Sequence, residues 1–368
     1  MCGIGGFSSS RAAYTQESGK WPRILESMNR AQKRRGPDEE GIFLEKKCGL
    51  AHVRLSIIDL ERGTQPMTRR AGEKSCTIAY NGEIYNMKTL RKELERKGVL
   101  FTTNSDTEVI LQGYLTEGEE FIEKLNGIFA IALWDQKEEA LYLFRDRAGV
   151  KPLFYTIQGD TLVFASEMKG LFQYPGVEAV ADRESLCEIF ALGPAKSYGK
   201  GVFRNILEVE GGSCLLWKEG RLKERKYWQL QSLPHEDSFE ETVEKTSWLV
   251  EDAVKLQMLS DIPICTFLSG GIDSSLVTAI CARELKKQGK VLHTFSFDFQ
   301  GNEKYFKANA FQPSQDRPWV EKMVEFSGTS HHFLTCGNQE MIDCLYKAVD
   351  ARDLPCMADV ESSMLYFC

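Results

Sequence analysis

The 368-residue chain has little of what would tie a protein to a membrane, a metal or a nucleic acid. No apolar run approaches the roughly 18 residues needed to span a bilayer, and the amino terminus lacks a basic region followed by an apolar stretch. A cytoplasmic protein is therefore expected. Histidine is scarce, with five residues and no His-Glu-x-x-His pattern, and His331-His332 has no acidic partner at ligand spacing, so it reads as a strand edge. The eleven cysteines are odd in number, scattered and free of any Cys-x-x-Cys pair, which argues against zinc and dithiol redox chemistry. Most read as small buried hydrophobes of a reducing compartment. A formal net charge of -7 argues against a nucleic-acid backbone or an anionic membrane as the main partner. Internal repeats and low-complexity segments are also lacking.

With 42% hydrophobic and 27% charged residues the chain can bury an ample core. Its length suggests two or three domains at about 150 residues each. Up to about residue 215, short β-type runs dominate: 49–59, 76–80, 128–135, 140–145, 152–157 and 161–165. Helical periodicity interrupts them at 21–34, 87–97 and 107–115, the last opened by a Ser105-x-x-Glu108 pattern that predicts a capping box. Strands in runs with a few helices predict a layered α+β domain. Residues 218–245 turn strongly charged and contain Pro234, the signature of a linker. Beyond it, strand and helix alternate: helix 239–259, strand 262–268, helix 274–288, strand 291–297, helix 319–326, strand 332–334 and helix 339–349. That alternation predicts a parallel sheet of the doubly wound kind.

Cys2 stands directly behind the initiator methionine. Removing Met1 would place a free α-amine, with an ordinary pKa of about 7.7 to 8.0, beside an intrinsically nucleophilic sulfur. A second-position cysteine on its own is an ordinary residue of a frayed terminus. It becomes chemistry only if the chain builds a site around it.

The string Ser269-Gly270-Gly271-Ile272-Asp273-Ser274-Ser275 follows an apolar strand and opens a helix, where α/β sheets place ligands. Its glycines let the backbone approach a phosphate, the helix start offers N–H groups to an anion, and the serines add donors. Asp273 can orient the loop or help hold magnesium. A tight turn capped by Asp273 and the serines is the simpler reading. The Gly-Lys-Ser/Thr of a Walker loop is missing, so γ-phosphoryl transfer is not expected. The string resembles the pyrophosphate loop of the ATP pyrophosphatases, which adenylate a carboxylate and release pyrophosphate.

In the amino-terminal half, Arg54-Leu55-Ser56-Ile57-Ile58-Asp59 offers a guanidinium for bidentate capture of an amino-acid carboxylate. Asn81-Gly82-Glu83-Ile84-Tyr85-Asn86 follows the strand Thr77 to Tyr80; its amide and glycine N–H can form an oxyanion hole, and Glu83 can accept from an amine. Asp106 adds a second carboxylate for a substrate ammonium. Each has a simpler alternative: a surface ion pair, an Asn-Gly turn, a helix-start charge. Together with Cys2 they supply a nucleophile, an oxyanion hole and clamps for both ends of an amino acid. The set resembles the class II glutamine amidotransferases. Three further strings fit that family in supporting roles: Arg35-Gly36-Pro37-Asp38, Arg145-Asp146-Arg147-x-Gly149-x-Lys151-Pro152-Leu153 and Phe164-Ala165-Ser166-Glu167-Met168-Lys169.

An amino-terminal glutaminase followed by a Ser-Gly-Gly-x-Asp-Ser loop resembles the glutamine-hydrolysing asparagine synthetase family over nearly the whole chain. The resemblance implies a layered αββα glutaminase domain of N-terminal-nucleophile type over 2–217, a linker over 218–238, and an α/β parallel-sheet ATP-pyrophosphatase domain over 239–368. It implies a ligase of amino-acid biosynthesis whose substrates are glutamine, aspartate and ATP, with magnesium as part of the ATP complex. It allows a homodimer, and implies neither nucleic acid nor membrane as partner. By it Cys2 is the nucleophile, Asn81 and Gly82 the oxyanion hole, and Arg54, Leu55, Ser56, Ile57, Ile58, Asn81, Gly82, Glu83 and Asp106 the glutamine site. Phe267, Leu268, Ser269, Gly270, Gly271, Asp273, Ser274, Ser275 and Phe297 form the ATP site, with Phe267 and Phe297 standing where aliphatic residues are usual. Family members continue past the position of Cys368 and carry a second Ser-Gly-Glu-x-x-Asp-Glu signature absent here, so the second domain is expected to be incomplete and glutamine hydrolysis better retained than amide synthesis. Phe311-Gln312-Pro313-x-x-x-Arg317-Pro318-Trp319 reads as an active-site loop or a surface insertion, and Asp359, Glu361 and Ser362 as acceptor-site neighbours or helix caps. Amidation of another carboxylate, in a peptide or cell-wall precursor, is the competing activity. Relatives that close β-lactam rings lack a cysteine at position 2, and the intact Cys2, Arg54, Asn81 and Asp106 set argues against a non-catalytic subunit.

Overall fold

The computed structural model describes all residues except Ser18, Pro194, Phe311, Gln312, Cys356 and Cys368, and describes only the backbone of residues 358–361. The chain divides into two compact units, one of residues 1–232 with 352–355, the other of 233–351 with 356–368. Among the described residues no helix is long and apolar enough to cross a membrane.

The strands of the first unit are β1 (Gly3–Ser9), β2 (Glu39–Leu44), β3 (Cys48–Arg54), β4 (Met67–Ala71), β5 (Lys74–Ile84), β6 (Gly127–Asp135), β7 (Ala140–Arg145), β8 (Phe154–Gln158), β9 (Thr161–Ala165), β10 (Leu207–Glu208), β11 (Ser213–Lys218) and β12 (Arg221–Lys226). Its helices are α1 (Lys20–Ala31), α2 (Met87–Arg96), α3 (Asp106–Glu117), α4 (Glu120–Glu123), α5 (Met168–Leu171) and α6 (Arg183–Leu192). Two antiparallel sheets form, in the orders β10-β8-β9-β1-β3-β2 and β12-β11-β7-β6-β5-β4. Ile4, Leu50, Leu162 and Phe164 of the first meet Ala79, Ala132, Leu143 and Trp217 of the second in a fully buried interlayer core. On the outer face of the first sheet, Trp21, Leu25 and Met28 of α1 cover Phe7, Ala51 and Val163. Helix α3 packs on β4 and β5 of the second sheet, which completes the αββα layering.

Strand parity explains the buried pattern. Along β1, β3 and β9, neighbouring residues alternate between the interlayer core and the helix-facing core, so both faces are apolar and no polar alternation appears. Strand β1 is not among the strands expected from sequence; pairing to β3 on one side and β9 on the other makes it a central strand despite Gly3, Gly5 and Gly6.

The linker expected over 218–238 differs from the structure. Its first part is the β11–β12 hairpin, in register from Ser213↔Lys226 to Lys218↔Arg221. The dense charge belongs to a sheet edge, where Arg221, Lys223, Glu224, Arg225 and Lys226 are exposed and deter further strand pairing. Regular structure resumes at α7 (Phe239–Gln257), whose N-cap Ser238 forms a capping box with Glu241. The box expected at Ser105 does not form. Ser105 accepts from Thr107 N–H, while the buried Glu108 accepts from Arg69 and from the N–H and hydroxyl groups of Thr102 and Thr103.

The second unit continues with β13 (Cys265–Phe267), α8 (Ile272–Lys287), β14 (His293–Phe299), α9 (Asn302–Tyr305), α10 (Arg317–Ser327), β15 (Ser330–Cys336), α11 (Asn338–Arg352) and α12 (Ala358–Phe367). Strands β13, β14 and β15 pair in that order and in parallel, as the alternation of strand and helix predicts.

Candidate active site

Cys2 is half-buried one residue ahead of β1. Its neighbours fix the backbone on both sides. The N–H of Ile4 donates to Ser166 Oγ at 3.0 Å, and the Cys2 carbonyl accepts from Arg35 Nε at 2.9 Å. Arg35 is steadied in turn by Glu167 at 3.1 Å, so the Arg35 and Ser166-Glu167 strings hold the backbone around Cys2. The sulfur itself lies 3.7 Å from the Leu55 carbonyl.

Asn81 and Gly82 are not a turn. Strand β5 runs through them to Ile84, beyond the Tyr80 boundary expected from sequence, and pairs them with Ala130 and Phe129 of β6. Asn81 is 1% exposed and its Nδ2 has no hydrogen-bond partner, a buried amide donor aimed at nothing in the described protein. Gly82 is needed for close approach: a Cβ there would sit 2.2 Å from the Ile128 carbonyl oxygen of the paired strand. Cys2, Arg54, Leu55, Ile57, Ile58, Asn81, Gly82, Glu83 and Asp106 all line one cleft, joined by Gln65, Tyr80, Thr107 and Lys151. Ser56 does not line it; its N–H donates to Asp38 Oδ2 at 2.7 Å and shapes the loop from outside.

Arg54 differs in its engagement from the free carboxylate clamp read from sequence. Its terminal nitrogens donate to Glu39 at 3.0 Å and to the carbonyls of Ile58, Asp59 and Leu60 at 3.1, 2.6 and 3.2 Å. The guanidinium thus organises the 55–60 loop, and a substrate carboxylate would have to exchange with one of these acceptors. Asp106 stands at the start of α3, with Oδ2 accepting from the Tyr80 hydroxyl at 2.8 Å and from Ile84 N–H at 3.2 Å.

In the second unit, Leu268 N–H still pairs with the Phe295 carbonyl at 2.8 Å, after which the chain turns through Ser269 and Gly270 into α8. Gly270 has φ +77, and a Cβ there would meet Trp319 Cβ at 2.7 Å, so the turn admits no side chain. The Ser269 and Ser274 hydroxyls lie 3.0 Å apart across an exposed loop, and the first-turn N–H groups of the 16-residue α8 point the same way. Leu268 is 1% exposed, leaving only its backbone at the loop. Phe267 and Phe297 pack beside it with ring centroids 5.2 Å apart. Phe311 and Gln312 lie outside the described residues, but Trp319 from the same string borders the loop and donates to Ser314 Oγ at 3.0 Å. The side chains of Asp359 and Glu361 lie outside the description, and Ser362 is buried in α12.

A glutamine amidotransferase domain family matches residues 1–228 and an asparagine synthase family matches residues 245–368. The Bacillus subtilis asparagine synthetase (glutamine-hydrolyzing) 3 is 44% identical over 369 residues, covering 100% of this chain and 59% of its own length. A putative asparagine synthetase (glutamine-hydrolyzing) 2 of Methanocaldococcus jannaschii is 34% identical over 370 residues, covering 93% of this chain and 67% of its own. The chain belongs to the glutamine-hydrolysing asparagine synthetase family. It spans 59% of the length of the Bacillus subtilis relative. The αββα unit falls in the amidotransferase match and the parallel-sheet unit in the synthase match.

The electrostatics of the cleft follow from burial. Burial pushes the Cys2 thiol above its ordinary value, against the terminal amine and Arg54, which pull it down. Asp106 is held up at about 6 by burial, opposed by the bonds from Tyr80 and Ile84. Burial also raises Glu83, with Lys151 opposing, and lowers the Lys151 ammonium. His52, with Nε2 3.0 Å from the Tyr80 carbonyl, is lowered to about 4 by complete burial and is neutral at pH 7. Sequence reasoning did not single out Tyr80, Gln65 or His52, and gave Lys151 only a supporting role. Tyr80 and His52 adjoin motif strings, but nothing in a sequence tells which face of a strand meets a cleft.

Proposed function

We propose that this chain takes part in glutamine-dependent, ATP-dependent asparagine synthesis, with Cys2 as the glutaminase nucleophile. The observation that carries the reading is that Asn81 lines the same cleft as Cys2 and its buried Nδ2 has no partner among the described residues. Such a donor costs stability unless something charged or polar meets it, and a carbonyl oxygen turning into an oxyanion is the group it suits.

In the 368-residue chain the Cys2 nitrogen is part of a peptide bond, so its use as a base requires removal of Met1. The freed amine then takes the thiol proton as Sγ attacks the side-chain amide carbon of glutamine. Asn81 Nδ2 and the Gly82 N–H hold the oxyanion, and the amine returns the proton to the leaving nitrogen. Ammonia departs, and water hydrolyses the remaining γ-glutamyl thioester to glutamate. Asp106 and Glu83 suit the substrate ammonium, and Arg54 its carboxylate after exchange with a loop carbonyl.

In the second unit, the Ser269–Ser275 loop suits the pyrophosphate of ATP, which arrives with magnesium. The exposed Asp273 is the carboxylate nearest that role. ATP and aspartate would give β-aspartyl-AMP and pyrophosphate, and ammonia would displace AMP to give asparagine. The decisive assay is glutamate release from glutamine by the wild type and by Cys2→Ala. Loss of release in the variant is expected; equal release by both removes the glutaminase reading.

A further inference from the structure

Three cationic side chains stand around Cys2, Arg35 at its carbonyl and Arg54 and Lys151 in the cleft it lines, and two of them are committed elsewhere. Arg35 binds the Cys2 carbonyl and Glu167. Arg54 spends its terminal nitrogens on Glu39 and three loop carbonyls. The third, Lys151, is only 6% exposed, lines the same cleft, and its ammonium has no hydrogen bond or ion pair among the described residues. Its backbone is fixed by the turn after β7. Lys151 N–H donates to Asp146 Oδ2 at 2.9 Å, and its carbonyl accepts from Arg145 Nε at 2.8 Å. Asp146 also gathers the N–H groups of Phe129 and Val150, so the stem is placed by a buried polar knot rather than by chance packing.

An unpartnered ammonium in a desolvated site is costly, and the cost is offset only where the charge acts on something. The groups facing Lys151 are Glu83, Arg35, Cys2 and Asp146. Those acting on the thiol are the Met1 amine, Arg54 and Asp106, and those acting on the Met1 amine are Cys2, Arg35, Lys151 and Asp38. Glu83 and Lys151 do not form an ion pair, although both line the cleft.

We infer that Lys151 is an electrostatic positioning residue of the thiol site, its ammonium favouring the thiolate of Cys2. The inference rests on the glutaminase reading, and deepens it by giving the cleft a fixed positive charge distinct from the oxyanion donors. Burial, with Asp106, raises the thiol; Cys2 in turn favours the charged Lys151, and a cation lining the same cleft works against the rise of the thiol.

The test uses the full chain and the rate of Cys2 alkylation by iodoacetamide against pH, read on the amino-terminal peptide by mass spectrometry because Cys187 and Cys265 are also exposed. Lys151→Met is expected to move the alkylation midpoint up by about half to one pH unit, and Lys151→Gln to do the same. Lys151→Arg, which keeps the charge, is expected to stay close to the wild type. At pH 7 the neutral variants should alkylate about three- to tenfold more slowly, with glutamine kcat/KM falling in step. An unchanged midpoint in both neutral variants, or an equal shift in Lys151→Arg, overturns the inference. A shift in only one neutral variant also overturns it, since that would mark packing rather than charge. Alkylation reports on the charge even if the chain releases no glutamate, so failure of this inference and failure of the glutaminase reading are separable.

Discussion

Asn81→Ala should separate function from stability in a way that few active-site substitutions do. The Asn81 side chain is 1% exposed and its Nδ2 finds no acceptor among the described residues. A buried donor left unsatisfied costs about 1–3 kcal/mol of folding free energy. Truncation to alanine removes that penalty and a few packing contacts of comparable worth, so folding stability should stay level or rise by about 1 kcal/mol. For a unit of this size that is a Tm unchanged or higher by about 2–4 °C. The rate should behave in the opposite way. Loss of one oxyanion donor removes about 2.7–4 kcal/mol of transition-state stabilisation, or a hundred- to thousandfold in kcat. KM should move little, because the ground-state carbonyl gains far less from the amide than the oxyanion does. Glutamate release at saturating glutamine and thermal melting of the same preparations supply both numbers. A kcat within about threefold of the wild type would refute the oxyanion assignment. A Tm lowered by about 8 °C or more would show that the amide has a structural partner in the folded chain.

Two predictions concern pH. Asp106 is held at about 6 by burial, so kcat/KM for glutamine should rise from pH 5 to 7 as the carboxylate ionises and can pair with the substrate ammonium, and Asp106→Asn should lower kcat/KM and erase that limb. A limb that survives the substitution unchanged belongs to another group. His52 is lowered to about 4 in the fold, whereas an unfolded histidine titrates near 6.5, so the unfolded state binds the extra proton between those values. The stability this neutral histidine preserves is complete above about pH 6.5 and is lost as pH falls toward 4, by about 3 kcal/mol in all. Urea unfolding at pH 7 and 4.5 should show a larger loss for the wild type than for His52→Gln; equal losses would mean that His52 is not buried neutral.

Much of the candidate site was legible because its residues come in strings whose spacing survives folding. Cys2, Asn81-Gly82 and Asp106, which the sequence offers as candidate nucleophile, donors and clamp, all line one cleft. Ser56 was carried along with its string and proved to face Asp38. The alternation of strand and helix after residue 239 predicted a parallel sheet, and β13, β14 and β15 form one. Where local signals and tertiary pairing disagreed, pairing won. The glycines of β1 punctuate like a turn yet lie between β3 and β9, and the charges of β12 read as a linker yet close a sheet edge.

Residue order by itself determined the succession of an α+β part and a parallel-sheet part and the family to which the chain belongs, and it suggested a chemistry for their motifs. Periodicity, a second-position thiol and a glycine-serine loop are one-dimensional signals, and they carry that far. Only the tertiary structure decided that Asn81 Nδ2 finds no acceptor among the described residues, that Arg54 is already occupied by loop carbonyls, and that Lys151 is a buried residue whose ammonium has no hydrogen bond or ion pair among them. Desolvation and hydrogen-bond satisfaction depend on what surrounds an atom in three dimensions. Spacing along a chain does not carry that information.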